Sequence, residues 1–127
     1  MKITIPIQPI TKKNHSQIIT NKKTGRPFLI PSKQYLQYEK DCGIFIKIPK
    51  EPINTPINMK CEYYMQTRRR VDLVNLLEAT CDMLVKYKVI EDDNNKIVVS
   101  HDGSRVFYDK ENPRVEITIM KAEETND

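Results

Sequence analysis

The chain has 127 residues, of which 39% are hydrophobic and 30% charged, and it carries a formal net charge of +4. That length suits one domain with a modest core, and no stretch approaches the roughly 18 apolar residues of a membrane span. The charge excess is mild and names no partner by itself. Its distribution says more: Lys12, Lys13, Lys22, Lys23, Arg26 and Lys33 crowd the N-terminal part, and Arg68, Arg69 and Arg70 form a run.

Residues 2–8 alternate, with Ile3, Ile5 and Ile7 on one side, which predicts a strand that Pro6 places at or near a sheet edge. The opening MKITIPIQPI has its apolar run broken by Pro6 and Pro9, so a signal peptide is not expected. SQIIT and PFLI flank the polar NKKTGR with its Gly25, and together predict a hairpin over 16–30 that forms a basic finger. Ser32 is a suitable N-cap for a helix over 33–47, in which Tyr35, Tyr38, Cys42, Phe45 and Ile46 recur near helical spacing. Pro49, Pro52 and Pro56 predict a loop. Residues 57–66 alternate strictly, Ile57, Met59, Cys61, Tyr63 and Met65 against Asn58, Lys60, Glu62, Tyr64 and Gln66, which is the clearest strand signal in the chain. A second helix over 72–87 follows, with Leu73, Leu76, Leu77, Met83 and Leu84 on one side and Asp72, Asn75, Glu78 and Asp82 on the other. Residues 96–100 and 105–108 read as strands around Asp102-Gly103, and 114–120 as a last strand with Val115, Ile117 and Ile119 inward. The expected class is α+β: a two-layer sandwich of a mixed sheet with two main helices, one domain over 1–121 and a polar tail over 122–127.

Several side chains have both a plain and a chemical reading. Asp72, where the chain enters the helix, is a good N-cap; Asn75, Glu78 and Asp82 also suit a solvated helix face. Asp92-Asp93-Asn94-Asn95 suits a turn. Yet Glu91, Asp92 and Asp93 are three consecutive acids after an already acidic helix, and such charges repel unless solvent or a cation screens them. Carboxylates of this kind suit Mg²⁺, which takes oxygen ligands, and the arginine run just before Asp72 suits phosphate. Arginines and acids together point to phosphodiester cleavage assisted by metal ions. Cys42, Cys61 and Cys81 have wide spacings without a zinc pattern and read as free thiols of a cytosolic protein. His15 and His101 stand alone, and no Ser/His/Asp elbow or phosphate-cradling glycine loop is present.

These residues form a pattern that resembles the RusA family of Holliday-junction resolvases, small endonucleases of phage and prophage type. The resemblance runs from IPIQPITKKNH through the basic hairpin, the first helix, the alternating strand and the arginine run. It continues through Asp72-Leu73-Val74-Asn75 with the later Asp82, then Asp92-Asp93 and the C-terminal strands. It implies a homodimer in the bacterial host cytosol that binds four-way DNA junctions and nicks two opposed strands with Mg²⁺ or Mn²⁺, in recombination and repair. Asp72 and Asp93 then match the catalytic, metal-binding aspartates, with Asp92 beside them. Asn75 is expected to orient a ligand or touch the DNA backbone, where Lys12, Lys13, Asn14, Arg68, Arg69 and Arg70 also bind. Two departures stand out. The family motif is usually D-L-D-N, so valine at 74 replaces an aspartate, and the family's functional helix lysine is Glu78 here. One reading makes Glu78 a compensating catalytic carboxylate, although on an ideal helix it lies about 120° and about 9 Å from Asp72. The alternative is a weakened or inactive nuclease that still binds junctions.

Overall fold

A computed structural model of the chain describes residues 1–12 and 16–122. Strand β1, Lys2–Ile5, stops where Pro6 has no N–H to offer, and Ile7 N turns back to Ile5 O at 2.9 Å. Strands β2, Ser16–Thr20, and β3, Pro27–Pro31, pair with each other as a separate two-stranded sheet, the expected hairpin. Its tip is shaped by Asn21, whose Oδ1 accepts from Lys23 N at 2.9 Å, and by Gly25 at φ +70, a conformation that suits glycine.

Helix α1, Lys33–Gly43, starts on Ser32, which accepts from Tyr35 N, as its sequence predicts. It ends four residues short of the expected boundary. Phe45 and Ile46 bond back three residues, to Cys42 O and Gly43 O, so the chain tightens out of the α-helix there. Gly43 lies under Tyr87, and a Cβ at that position would meet the Tyr87 hydroxyl at 2.7 Å.

Strand β4, Ile57–Met65, has every second residue buried, as the alternation predicts. Helix α2, Leu73–Lys86, connects it to β5, Val98–Ser100, and β6, Arg105–Tyr108; β7, Arg114–Lys121, closes the sheet. The main sheet has five strands in the order β1-β7-β4-β5, with β6 also on β4. It is mixed: β1–β7 and β7–β4 are antiparallel, and β4 is parallel to both β5 and β6. The α+β class and the edge position of β1 are as read from the sequence.

One core joins the layers. The inward residues of β1, β4 and β7 pack with Tyr35, Tyr38 and Cys42 of α1 and with Leu76, Ala79, Cys81, Met83 and Leu84 of α2. A fully buried Leu84 is worth about 1.5–3 kcal/mol in transfer alone. Tyr63 donates to Thr80 Oγ1 at 2.7 Å, and Thr80 donates on to Leu76 O at 2.9 Å, so the buried polar atoms of this layer contact are satisfied. Buried Glu39 of α1 accepts from Lys86, and its carbonyl accepts from Tyr87 Oη at 2.8 Å, which fastens α1 to the end of α2. No helix among the described residues is long and apolar enough to cross a membrane.

Candidate active site

Helix α2 sets the geometry of the acidic residues. It leaves the C-terminal end of β4 and runs back to the other end, where Ile53 bridges Ile90 and Ile57 pairs with Val98. Asp72 therefore stands at the start of the helix, and the Asp92-Asp93 pair follows its other end in sequence.

At the first end, Asp72 Oδ1 accepts from Val74 N at 2.9 Å and Asn75 N at 3.4 Å. The N-cap role is real, and one carboxylate oxygen is engaged in it. Val74 is 67% exposed on the first turn and contributes nothing to the core. Arg68, Arg69 and Arg70 are all exposed, and Arg68 Cζ lies 4.1 Å from the Tyr108 ring centroid.

Asn75, Glu78 and Asp82 follow at spacings of three and four, which makes one stripe along α2. Glu78 is exposed, about 9 Å of axis from Asp72. Asp82 lies ten residues from Asp72, about 15 Å along the axis, and its Oδ2 receives Lys12 Nζ at 3.2 Å. Lys13 and Asn14, and with them His15, lie outside the described residues.

At the second end, Asp92 is held in a turn. Its Oδ1 accepts from Asp93 N at 2.8 Å and its Oδ2 from Asn94 Nδ2 at 3.0 Å, and these bonds keep its carboxyl below the usual range. Asp93 moves the other way. Partial desolvation comes first, then the Asp92 carboxylate and the charge of Asp82, and together they push its carboxyl up. Asp93 thus feels both Asp92 and Asp82, an association that spacing alone does not show. Beside them, burial and then the charges of Asp93 and Asp82 push the Cys81 thiol up to about 12. His101 is a structural residue: Nδ1 meets Met59 O at 2.9 Å, and Nε2 lies 3.9 Å from Cys81 Sγ.

The donors at both ends are carboxylates, chemically suited to a hard divalent ion. Among the described residues, however, no three Asp, Glu, His or Cys side chains gather closely enough to hold a metal. Two ligands of one Mg²⁺ must each approach to about 2.1 Å, and about 15 Å of helix separates Asp72 from the Asp82 and Asp93 end. Asp72 and Asp93 therefore belong to no such group among the described residues of one chain.

The model of the family described as endodeoxyribonuclease RusA matches residues 6–120. The chain belongs to the RusA endodeoxyribonuclease family. The match takes in both ends of α2, so the two acidic positions belong to one family domain whose class of reaction is hydrolysis of DNA. No curated protein matches the chain. In this RusA-family domain the acid that the sequence underused is Asp82. Its spacing from Asn75 and Glu78 was visible, but its pairing with Lys12 and its place near Asp93 depend on the fold.

Proposed function

We propose that the protein is a divalent-metal-dependent endonuclease, active as a homodimer, that resolves four-way DNA junctions by paired nicks during recombination and repair in a bacterial cytosol. The observation that supports the mechanism is the roughly 15 Å of α2 between Asp72 and Asp82, near which Asp93 lies. A two-fold axis that sets the start of α2 of one protomer against the end of α2 of its partner would join Asp72 of one chain with Asp92 and Asp93 of the other. Each active site would then need both chains, and the dimer would hold two, one for each strand cut.

In this arrangement the carboxylates of Asp72, Asp92 and Asp93 would hold Mg²⁺ or Mn²⁺, and Glu78 would add a carboxylate on the stripe between them. The ion supplies Lewis-acid activation of a water and charge stabilisation at the scissile phosphate. The chain does the rest. Asp72, fixed by its capping bonds, presents its other oxygen from a preset position. Arg68, Arg69, Arg70, Lys12 and Asn75, together with Lys13 and Asn14 of the adjoining loop, line up the phosphodiester backbone, a contact that weakens with salt and reads little sequence.

The test is complementation on a synthetic four-way junction with Mg²⁺. Wild type resolves the junction, while Asp72→Asn and Asp93→Asn alone do not. Mixed after co-refolding, the two inactive chains share one intact site and restore nicking of a single strand. No cleavage by wild type removes the endonuclease assignment; no recovery on mixing removes the shared site. Exposed Val74, where the family carries a carboxylate, favours a second reading: a junction-binding protein of weakened activity, for which binding is indifferent to metal and nicking is absent.

A further inference from the structure

We propose that Tyr108 is a positioning residue, whose exposed ring holds the Arg68 guanidinium flat so that its N–H edge grips a backbone phosphate of the DNA. Arg68 is thereby the principal phosphate contact of the 68–70 run. The inference rests on the endonuclease reading and names the residue that organises its DNA-gripping segment.

The three arginines are adjacent in sequence and equally charged, but they are not placed alike. Arg68 is the one of them that lies on a ring, with Cζ 4.1 Å from the Tyr108 centroid. Tyr108 ends β6, an edge strand whose register pairs Met65↔Tyr108, and 42% of it is exposed. Arg68 follows β4 three residues after Met65 and precedes Asp72 by four, so the pair stands beside the start of α2.

A guanidinium stacked by its face keeps all its N–H donors in the plane, pointing away from the ring. What they meet depends on the neighbours. Arg114 also lies on a ring, 3.7 Å from the Tyr64 centroid, but its donors are occupied: Nε bonds Glu116 at 3.0 Å, and one terminal nitrogen bonds Asp109 at 3.0 Å and Asn112 O at 2.9 Å. Arg68 lies over its ring at a similar distance without that occupation, since among the described residues no carboxylate stands within ion-pair distance of it. An oriented guanidinium with an open donor edge is the geometry that binds phosphate in a bidentate manner. Arg69 and Arg70 have the charge without the orientation.

Junction binding in EDTA, where no strand is cut, tests this on the full chain across a range of salt concentrations. Arg68→Ala should weaken binding and lower the slope of log affinity against log salt by about 0.9, the value of one phosphate contact. Tyr108→Leu should weaken binding about two- to fivefold, the loss of an exposed cation–π contact. Tyr108→Phe should match wild type. In the double variant, Tyr108→Leu should add nothing to Arg68→Ala, because the ring acts only through the guanidinium. Parental affinity in Tyr108→Leu, or losses that simply multiply in the double variant, overturns the proposal. If Tyr108→Leu fails to fold, Arg68→Lys decides: it keeps the charge but not the fork, so weaker binding with an unchanged slope supports the proposal and parental affinity overturns it. A wild-type protein that binds no junction removes the endonuclease reading, and this inference with it.

Discussion

Asp72 performs two tasks that one pair of substitutions separates. Its Oδ1 caps α2 through Val74 N and Asn75 N, and its carboxylate charge is the proposed metal ligand. Asparagine caps a helix as well as aspartate does, so Asp72→Asn keeps both bonds and loses only the charge at the helix start, worth about 0.3–1 kcal/mol. Asp72→Ala loses that charge and the cap as well, about 1 kcal/mol more. For a domain of this size 1 kcal/mol corresponds to about 4 °C of Tm. The expected result is that Asp72→Ala melts about 4 °C below Asp72→Asn by calorimetry or circular dichroism, while both lose junction cleavage by about 10²-fold or more, the scale of a lost charge-stabilising group at an active site. Cleavage that persists in Asp72→Asn would refute the reasoning, since Asp72 would then be a cap and nothing else. Equal melting of the two variants would refute the other half, that the capping bonds carry stability.

Three further outcomes follow from the same geometry. Val74 is 67% exposed on the first turn, so Val74→Asp sacrifices no core packing, gains a favourable charge near the helix N-terminus of about 0.3–1 kcal/mol, and should raise the nicking rate; a rate no higher than wild type would show that position 74 is outside the metal site. Asp93 has its carboxyl raised in the folded chain, so the folded state binds more protons than the unfolded one, and stability falls as pH rises through that titration. Asp93→Asn should therefore raise Tm at pH 7, with the gap closing as the pH falls below about 4, even though cleavage is lost; a lower Tm at pH 7 would contradict the crowding of Asp93 by Asp92 and Asp82. Burial pushes the Cys42 thiol up to about 11 and the Cys61 and Cys81 thiols up to about 12, so native protein at pH 8 should resist iodoacetamide until unfolded, and fast labelling of any one of them by mass spectrometry would overturn that assignment.

The fold was legible wherever one periodicity dominated. Strand β4 alternates without a fault and was placed within one residue, and α2 shows both an apolar stripe and an aspartate cap, so its ends also agree. The end of α1 was misread because Phe45 and Ile46 continue the helical spacing of apolar residues. Ile46 is indeed buried, but it reaches the core from a tighter turn beyond Gly43, while Ile44 is 82% exposed. Spacing reports which residues face inward; it does not report the backbone that carries them there. Contacts between distant segments were not legible at all. The bonds from Lys86 and Tyr87 to Glu39 join residues 47 and 48 apart in sequence, and no local pattern encodes them.

The candidate site shows the same division more sharply. Asp72 and Asp93 are separated in sequence by the 14-residue helix α2 and by the turn after it, which brings Asp93 near Asp82. The ten residues from Asp72 to Asp82 span about 15 Å of axis, and the helix buries Leu76 and Leu84 along that length. Granting that the family reaction needs both acidic positions at one phosphate, the axial separation along α2 is the ground for proposing a site shared by two protomers. The proposed shared site also gives Glu78 a place, exposed and midway along the stripe of α2. Loss of cleavage in Glu78→Gln with an unchanged Tm would place it in the shared site, and unaltered cleavage would return it to the solvated face of the helix.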